Sequence, residues 1–162
     1  MIEWNERPEE IKYLLNPAFC ARIIYSALEE YERISNKSMP VTLIYLILPL
    51  ILHRSTRERI NSKISFTNWA YRDSNLLIGF SRRAKEMVFF TNEAIEFLLQ
   101  SRIIVLNSNG YFEISKILNA LSKTKYTDEE VYDCIKKAEH VARWFWRTGK
   151  VETVYIILGV RP

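Results

Sequence analysis

The sequence has 162 residues, of which 48% are hydrophobic, 26% charged and 13% aromatic. A chain of this length and composition can bury a sizeable core, which excludes an intrinsically disordered segment, a collagen-like repeat and a disulfide-stapled miniprotein. The net charge of +4 is unevenly distributed, with −3 in residues 1–35 and +6 in residues 36–90.

The first half of the chain predicts a series of helices. Asn16-Pro17 is a typical helix start, and apolar residues recur at three- and four-residue steps from there to about Ser35. Residues 41–53 are almost entirely apolar, and their length favours a helix that is kinked or ended near Pro49. Their β-branched residues are also compatible with a strand, so the choice between helix and strand is not settled. We expect a short basic helix over residues 54–63 and another carrying Trp69.

The second half predicts longer helices and a hairpin. The apolar stripe through residues 76–87 indicates a helix, and Thr91 is expected to cap a further one. Ser108-Asn109-Gly110 lies between two short β-prone segments, which predicts a β-hairpin. Thr127, followed three residues later by Glu130, predicts a capped helix ending at Gly149. The apolar residues 154–160 are expected to form a strand.

This order of elements predicts a mostly α protein with a small antiparallel β-sheet, arranged as a winged-helix-like single domain over residues 1–162. Residues 1–15 form an N-terminal lead-in. A subdivision near residue 125 would separate residues 126–162 as a C-terminal helix plus strand. The chain opens without an apolar signal segment, and its most apolar run is shorter than the ~20 residues of a membrane span, so we expect a cytoplasmic protein.

The chain offers few side chains for catalysis or metal binding. Its four glycines are too scattered for a phosphate- or dinucleotide-binding loop. No two of Cys20, His53, Cys134 and His140 have the spacing of a zinc-ligand pair. Both cysteines lie on apolar stripes, which indicates buried thiols. We therefore expect a protein that is not an enzyme and has no catalytic, cofactor-binding or metal-binding residues.

Basic side chains in residues 36–90 are candidates for contact with DNA or with an acidic partner protein. Lysine and arginine attract phosphates through counterion release and attract acidic protein surfaces equally well. A solvated face without a ligand is the alternative. The candidates are Arg54, Arg57, Arg59, Lys63, Arg82, Arg83 and Lys85.

Apolar and aromatic side chains suggest a subunit interface. Residues 44–52 and 154–160 are more hydrophobic than burial of one face requires, so we expect a partner subunit to cover at least one of them. Tryptophan flanked by arginine is common at interfaces, although packing within the chain explains it equally well. The candidate interface residues are Trp144, Trp146, Ile156 and Leu158.

Several fragments resemble a known family. They are Asn16-Pro17-Ala18-Phe19, residues 46–53 followed by Ser55-Thr56-Arg57, Ile78-Gly79-Phe80 followed by Arg82-Arg83-Ala84, Thr91-Asn92-Glu93-Ala94, Lys137-Ala138-Glu139 with Arg143-Trp144-Phe145, and the terminal Leu158-Gly159-Val160-Arg161-Pro162. In this order, from about residue 16 to the end of the chain, the sequence resembles the middle component of bacterial three-component ABC ATPase systems.

The resemblance implies a role and no reaction. Such middle components are small proteins encoded between an SMC/Rad50-like ABC ATPase and a variable effector, often a nuclease, in conflict systems such as Lamassu-type antiphage defence. A non-catalytic accessory subunit that bridges the ATPase and the effector is therefore expected, with ATP on the ATPase only, DNA contacted through the complex, and no membrane. The alternative is a free-standing winged-helix DNA-binding transcription regulator.

Overall fold

The computed structural model describes residues 15–115 and 124–161. The elements in chain order are α1 (Pro17–Ser35), α2 (Val41–Ile44), α3 (Ile47–Ile51), α4 (Arg54–Arg59), α5 (Phe66–Arg72), a 3₁₀ helix (Ser74–Leu77), α6 (Phe80–Gln100), β1 (Ile104–Leu106), β2 (Phe112–Ile114), α7 (Glu129–Thr148) and α8 (Val151–Leu158). The prediction of a mostly α protein with a small antiparallel sheet is confirmed. The winged-helix arrangement remains a prediction, and residues 1–14 of the expected lead-in lie outside the described residues.

The core forms where α1 packs against both α6 and α7. Asn16 begins α1 as predicted, since its side-chain oxygen accepts a hydrogen bond from the backbone amide of Ala18 at 2.8 Å. Residues from both sides of position 125 enter the same hydrophobic cluster, because α7 contributes Ala138, Val141 and Phe145 to it. Residues 126–161 thus share one core with the rest of the described chain.

The apolar segment 41–52 is divided into two short helices. Pro49 is the third residue of α3, where its missing N–H does not remove an intrahelical hydrogen bond. The short helix α3 contacts α1, α6 and α7, and all five of its residues are buried. The chain's own helices therefore bury most of this segment, while the prediction that a partner subunit covers part of it stays a prediction.

The predicted cap at Thr91 is wrong, because Phe80–Gln100 is one continuous helix and Thr91 is fully buried inside it. The helix begins instead after Gly79, which adopts φ +73°. A hydroxyl residue caps a helix only where the backbone leaves helical geometry, and burial of the α6 face at Ala84, Ala94 and Leu98 keeps the helix going through Thr91.

The predicted hairpin is confirmed. Residues 104 and 114 pair at its open end, and residues 106 and 112 pair beside the turn. The Asn107 side-chain oxygen accepts hydrogen bonds from the backbone amides of Asn109 and Tyr111, while Gly110 adopts φ +80°. A Glu32 carboxylate oxygen accepts a hydrogen bond from the Ile114 amide at 3.2 Å, which ties the hairpin to α1.

The cap of α7 lies one residue later than predicted. Asp128 is the N-cap, and its carboxylate accepts hydrogen bonds from the backbone amides of Glu130 and Val131. The carboxylate of an aspartate also interacts favourably with the positive end of the helix dipole, which a threonine hydroxyl does less well. The predicted end of the helix at Gly149 is confirmed.

The predicted strand over residues 154–160 is wrong, because this segment is mostly helix α8. A strand would place positions 154, 156 and 158 on one face, whereas the buried residues are Val154, Tyr155 and Leu158, which share a helical face. The Tyr155 hydroxyl donates a hydrogen bond to the backbone oxygen of Thr42 at 2.8 Å. Within residues 15–115 and 124–161, every helix is too short or too polar to traverse a lipid bilayer.

Candidate partner and nucleic-acid surfaces

The two cysteines are buried, as the sequence predicts. Burial raises the pKa of the Cys20 thiol to about 12 and that of Cys134 to about 11. At neutral pH both are therefore protonated thiols, whereas a nucleophile must be a thiolate. In the described part of the chain, no three His, Cys, Asp or Glu side chains converge as they would around a metal ion.

Arg57 lies in the interior and holds α4 against α7. Its guanidinium donates hydrogen bonds to the backbone oxygen of Ile51 at 2.9 Å, to Asp133 at 3.0 Å and to Glu130. Only 5% of the side chain is exposed. Each of its three nitrogens donates a hydrogen bond within the chain, so Arg57 has a structural role.

Arg83 also bonds within the chain. Its guanidinium donates hydrogen bonds to the backbone oxygens of Leu76 at 2.8 Å and Ile78 at 3.2 Å, and it lies 5.5 Å from the ring centre of Phe80. Partial burial lowers the pKa of this guanidinium. Arg83 thereby fixes the turn that precedes α6.

The other five candidates lie at the surface but do not form one patch. Arg54 pairs with Glu58 at 2.8 Å, and Arg82 lies 3.7 Å from Glu86 on α6. Exposed pairs of this kind contribute little to stability. Lys85 is also exposed on α6. Arg59 and Lys63 belong to a different surface, around the loop between α4 and α5.

That loop lies at the centre of a surface that we call the basic groove. Its basic residues are Arg59, Lys63, Arg72, Lys137 and Arg147. Two cavities of about 290 and 350 Å³ lie side by side there and share Ser62 in their walls. Two hydrogen bonds hold the loop on α7, from the Trp144 indole to the Ile64 oxygen at 3.0 Å and from Lys137 to the Ile60 oxygen. Arg72, Lys137 and Arg147 were not among the candidates predicted from the sequence. Lys137 and Arg147 lie on α7, far along the chain from the basic segment 36–90.

Two of the four predicted interface residues are buried in the core. Trp144 is 1% exposed and packs against the rings of Phe66, Trp69 and His140, and Leu158 is also 1% exposed. Neither reaches the surface, because each fills space inside the chain. Trp146 is partly buried against Tyr31, with its ring centre 5.8 Å away. Ile156 is the one that is open to solvent, with 77% of its surface exposed.

Two strongly exposed apolar side chains lie on helices that contact each other, α5 and α8. Tyr71 on α5 is 87% exposed, and Ile156 on α8 presents a similarly exposed side chain. Single exposed apolar residues are common, and exposed aromatic and aliphatic side chains are also of the types that anchor protein interfaces.

An apolar groove of about 570 Å³ lies between α1, α3, α6 and α7. Its apolar walls include Phe19, Leu48, Leu52, Met87 and Val131. Charged side chains also line it, among them Arg83, Glu86 and Asp128, together with the imidazole of His53. A largely apolar lining that also contains charged residues is a composition suited to a peptide or helix of another protein.

The fold and these surfaces define a small, mainly helical protein whose described surface features are suited to binding. The chain belongs to the family described as ABC-three component (ABC-3C) system Middle Component 3, whose model matches residues 4–162. It is thus a middle component of such a system, as the resemblance of its sequence fragments indicated. No curated protein and no solved structure matches the chain.

Proposed function

We propose that this chain is a non-catalytic subunit that bridges the ABC ATPase and the effector of an ABC-3C system used in antiphage defence. A bridge needs two binding surfaces that two partners can occupy at the same time. The observation that carries the proposal is that the chain exposes apolar side chains in two places with no residue in common: the apolar groove, and Tyr71 and Ile156 on α5 and α8.

The two surfaces are associated with different ends of α7. The apolar groove is lined by residues 128–134 in the first turns of this helix, whereas α8 begins after its last turn. A helix of 20 residues is about 30 Å long. Family membership supports an accessory role alongside other ABC-3C components. The raised pKa values of the two buried cysteines argue against either thiol acting as a nucleophile at neutral pH.

The test is to co-express the chain with the ABC ATPase and effector encoded beside its gene, and to purify the complex through a tag on the chain. Met87→Glu places a charge in the apolar groove and should release one component. Tyr71→Ser with Ile156→Ser removes apolar surface and should release the other, because interfaces depend on a few buried anchors. Tyr132→Ser, at a residue that is also exposed, serves as the control and should leave both components bound.

Several outcomes would contradict the proposal. A gene with no ABC ATPase gene beside it, or a wild-type chain that retains neither component, excludes a bridging subunit. A chain that forms homodimers and binds one DNA sequence tightly on its own is a regulator instead. If both groups of variants release the same component, the chain has one partner and does not bridge two.

A further inference from the structure

The basic groove contains two cations that form no ion pair with any acidic side chain in residues 15–115 and 124–161. Lys63 lies in the loop after α4, and Arg147 lies in the last turn of α7. Both side chains line the 290 Å³ cavity and are exposed, and neither forms an ion pair with another described residue. No described acidic side chain lines this cavity. The fold therefore brings together two positive charges from distant parts of the sequence without neutralising them.

Hydroxyl groups line the same cavity. Ser62, Ser65, Thr67 and Thr148 are among its lining residues. The Thr148 hydroxyl already donates a hydrogen bond to the backbone oxygen of Trp144 at 2.8 Å. The Ser65 hydroxyl oxygen accepts a hydrogen bond from the Asn68 amide at 3.2 Å, which leaves its proton to donate. Lysine, arginine, serine and threonine are the side chains that commonly contact phosphate oxygens in nucleic-acid complexes.

The adjacent 350 Å³ cavity extends the positive surface. Arg59, Arg72 and Lys137 line it, with Glu58 as its acidic residue. Glu58 pairs with Arg54, and the Asp73 side chain, which is 9% exposed, pairs with Arg72 and lies 3.8 Å from Arg59, so Lys137 is the cation of this cavity for which no ion pair with a described residue is seen. Two neighbouring cationic cavities suit a polymer with a negative charge at each repeat better than they suit a single carboxylate.

The loop that joins the cavities is held in place. The hydrogen bonds from Trp144 to Ile64 and from Lys137 to Ile60 fix both ends of it on α7, and Asn61 accepts a further hydrogen bond from the Lys63 amide at 2.9 Å. A loop that is already ordered loses less conformational entropy when a ligand binds.

We propose that the basic groove binds backbone phosphates of duplex DNA, with Lys63 and Arg147 as the principal contacts. The contact gives affinity without reading the base sequence, because phosphates carry no base information. This inference rests on the proposed function in one respect: the DNA is presented to the groove within the assembled complex. Arg82 and Lys85, on α6, line neither cavity and are not part of this site.

The test compares two double variants. One carries Lys63→Ala and Arg147→Ala in the basic groove, and the other carries Arg82→Ala and Lys85→Ala on α6. Both double variants remove two exposed positive charges, so they alter the net charge equally. Complexes are first checked for all components, and their binding to two unrelated fluorescent DNA duplexes is then measured by anisotropy at several salt concentrations. The groove variant should bind both duplexes about tenfold more weakly, and the slope of log K against log salt should fall by about two. The α6 variant should bind nearly as the wild type.

Other outcomes overturn the inference. Unchanged DNA binding by the groove variant rejects the site, and equal weakening by both variants indicates a general effect of charge. If the groove variant loses a protein component, the groove is an interface with an acidic protein, while the bridging function stands. If the wild-type chain assembles with no component, the bridging function is rejected. The same double variants are then measured for DNA binding as isolated chains. Equal DNA affinities of the two variants would reject the groove as the DNA site.

Discussion

Arg57 is a buried cation whose partners come from two other elements. It joins the end of α3 to the first turns of α7 through Ile51, Glu130 and Asp133. A buried charge is stable only when it is paired and hydrogen-bonded, so this side chain is expected to matter for folding. The Glu130 and Asp133 side chains are 57% and 38% exposed, so water can solvate them when the arginine is absent.

We therefore predict that Arg57→Ala lowers the free energy of unfolding by about 2 kcal/mol, less than the loss of a fully buried ion pair. Arg54→Ala, in the same helix, removes an exposed pair and should change it by less than about 0.5 kcal/mol. Urea denaturation of the isolated chain measures both. Equal stability of the two variants would show that the Arg57 network does not hold α4 against α7.

His140 should make folding sensitive to acid. Its burial, together with the nearby cations Arg143, Lys137 and Arg147, lowers the pKa of the imidazole to about 4. In the unfolded chain the same group titrates near its ordinary value of 6.5. Between these two pH values the unfolded state binds a proton that the folded state does not, so stability falls as the pH is lowered.

We predict that the wild-type chain loses on the order of 2 kcal/mol of stability from this group between about pH 7 and pH 4. His140→Gln cannot take up the proton and should lose correspondingly less over the same interval. Denaturant unfolding at a series of pH values measures the difference. His53→Gln is the control. Its unfolding free energy should fall between about pH 7 and pH 4 nearly as much as that of the wild type, since His53 is only half-buried. Parallel curves for the wild type and the His140 variant would refute the prediction.

At the level of elements, local sequence signals predicted helix starts and turns well where side chain and backbone interact directly. Asn16 is an example, because its side chain forms the expected hydrogen bond with the first turn of α1. The hairpin is another, because its turn contains Asn109 and Gly110 as predicted. The prediction for α8 failed for a tertiary reason. Its β-branched residues favour a strand, but contacts with α5 and α7 bury one helical face.

The site was harder to predict than the elements. The basic residues 54–85 form a contiguous segment in sequence, but the fold sends Arg57 inward and separates Lys63 from Lys85. It also brings Arg147 of α7 beside Lys63. The charge of a sequence segment does not show which side chains are buried or which residues from elsewhere in the chain lie beside them. The basic segment therefore predicted a positive surface, but it could not show which basic residues lie together on it.

At the scale of the molecule, the central question is whether residues 126–161 fold independently of the rest. The helix α7 packs against α1 along its length, and α8 contributes Val154, Tyr155 and Leu158 to the common core. A chain with one core of this size generally unfolds in a single cooperative transition. A change deep in α8 should then destabilise elements that precede residue 125 as much as those that follow it.

Leu158 and Ile156 provide a matched pair within α8, because they are 1% and 77% exposed. We predict that Leu158→Ala costs about 3 kcal/mol of unfolding free energy, since it leaves a cavity in the core. Ile156→Ala should cost less than about 0.5 kcal/mol. Hydrogen exchange measured by mass spectrometry reports the two halves separately, and Leu158→Ala should speed exchange in α6 and in α7 by the same factor. Faster exchange confined to α7 and α8 would mean instead that residues 126–161 are a separate folding unit, whose packing on α1 is an interface between two domains.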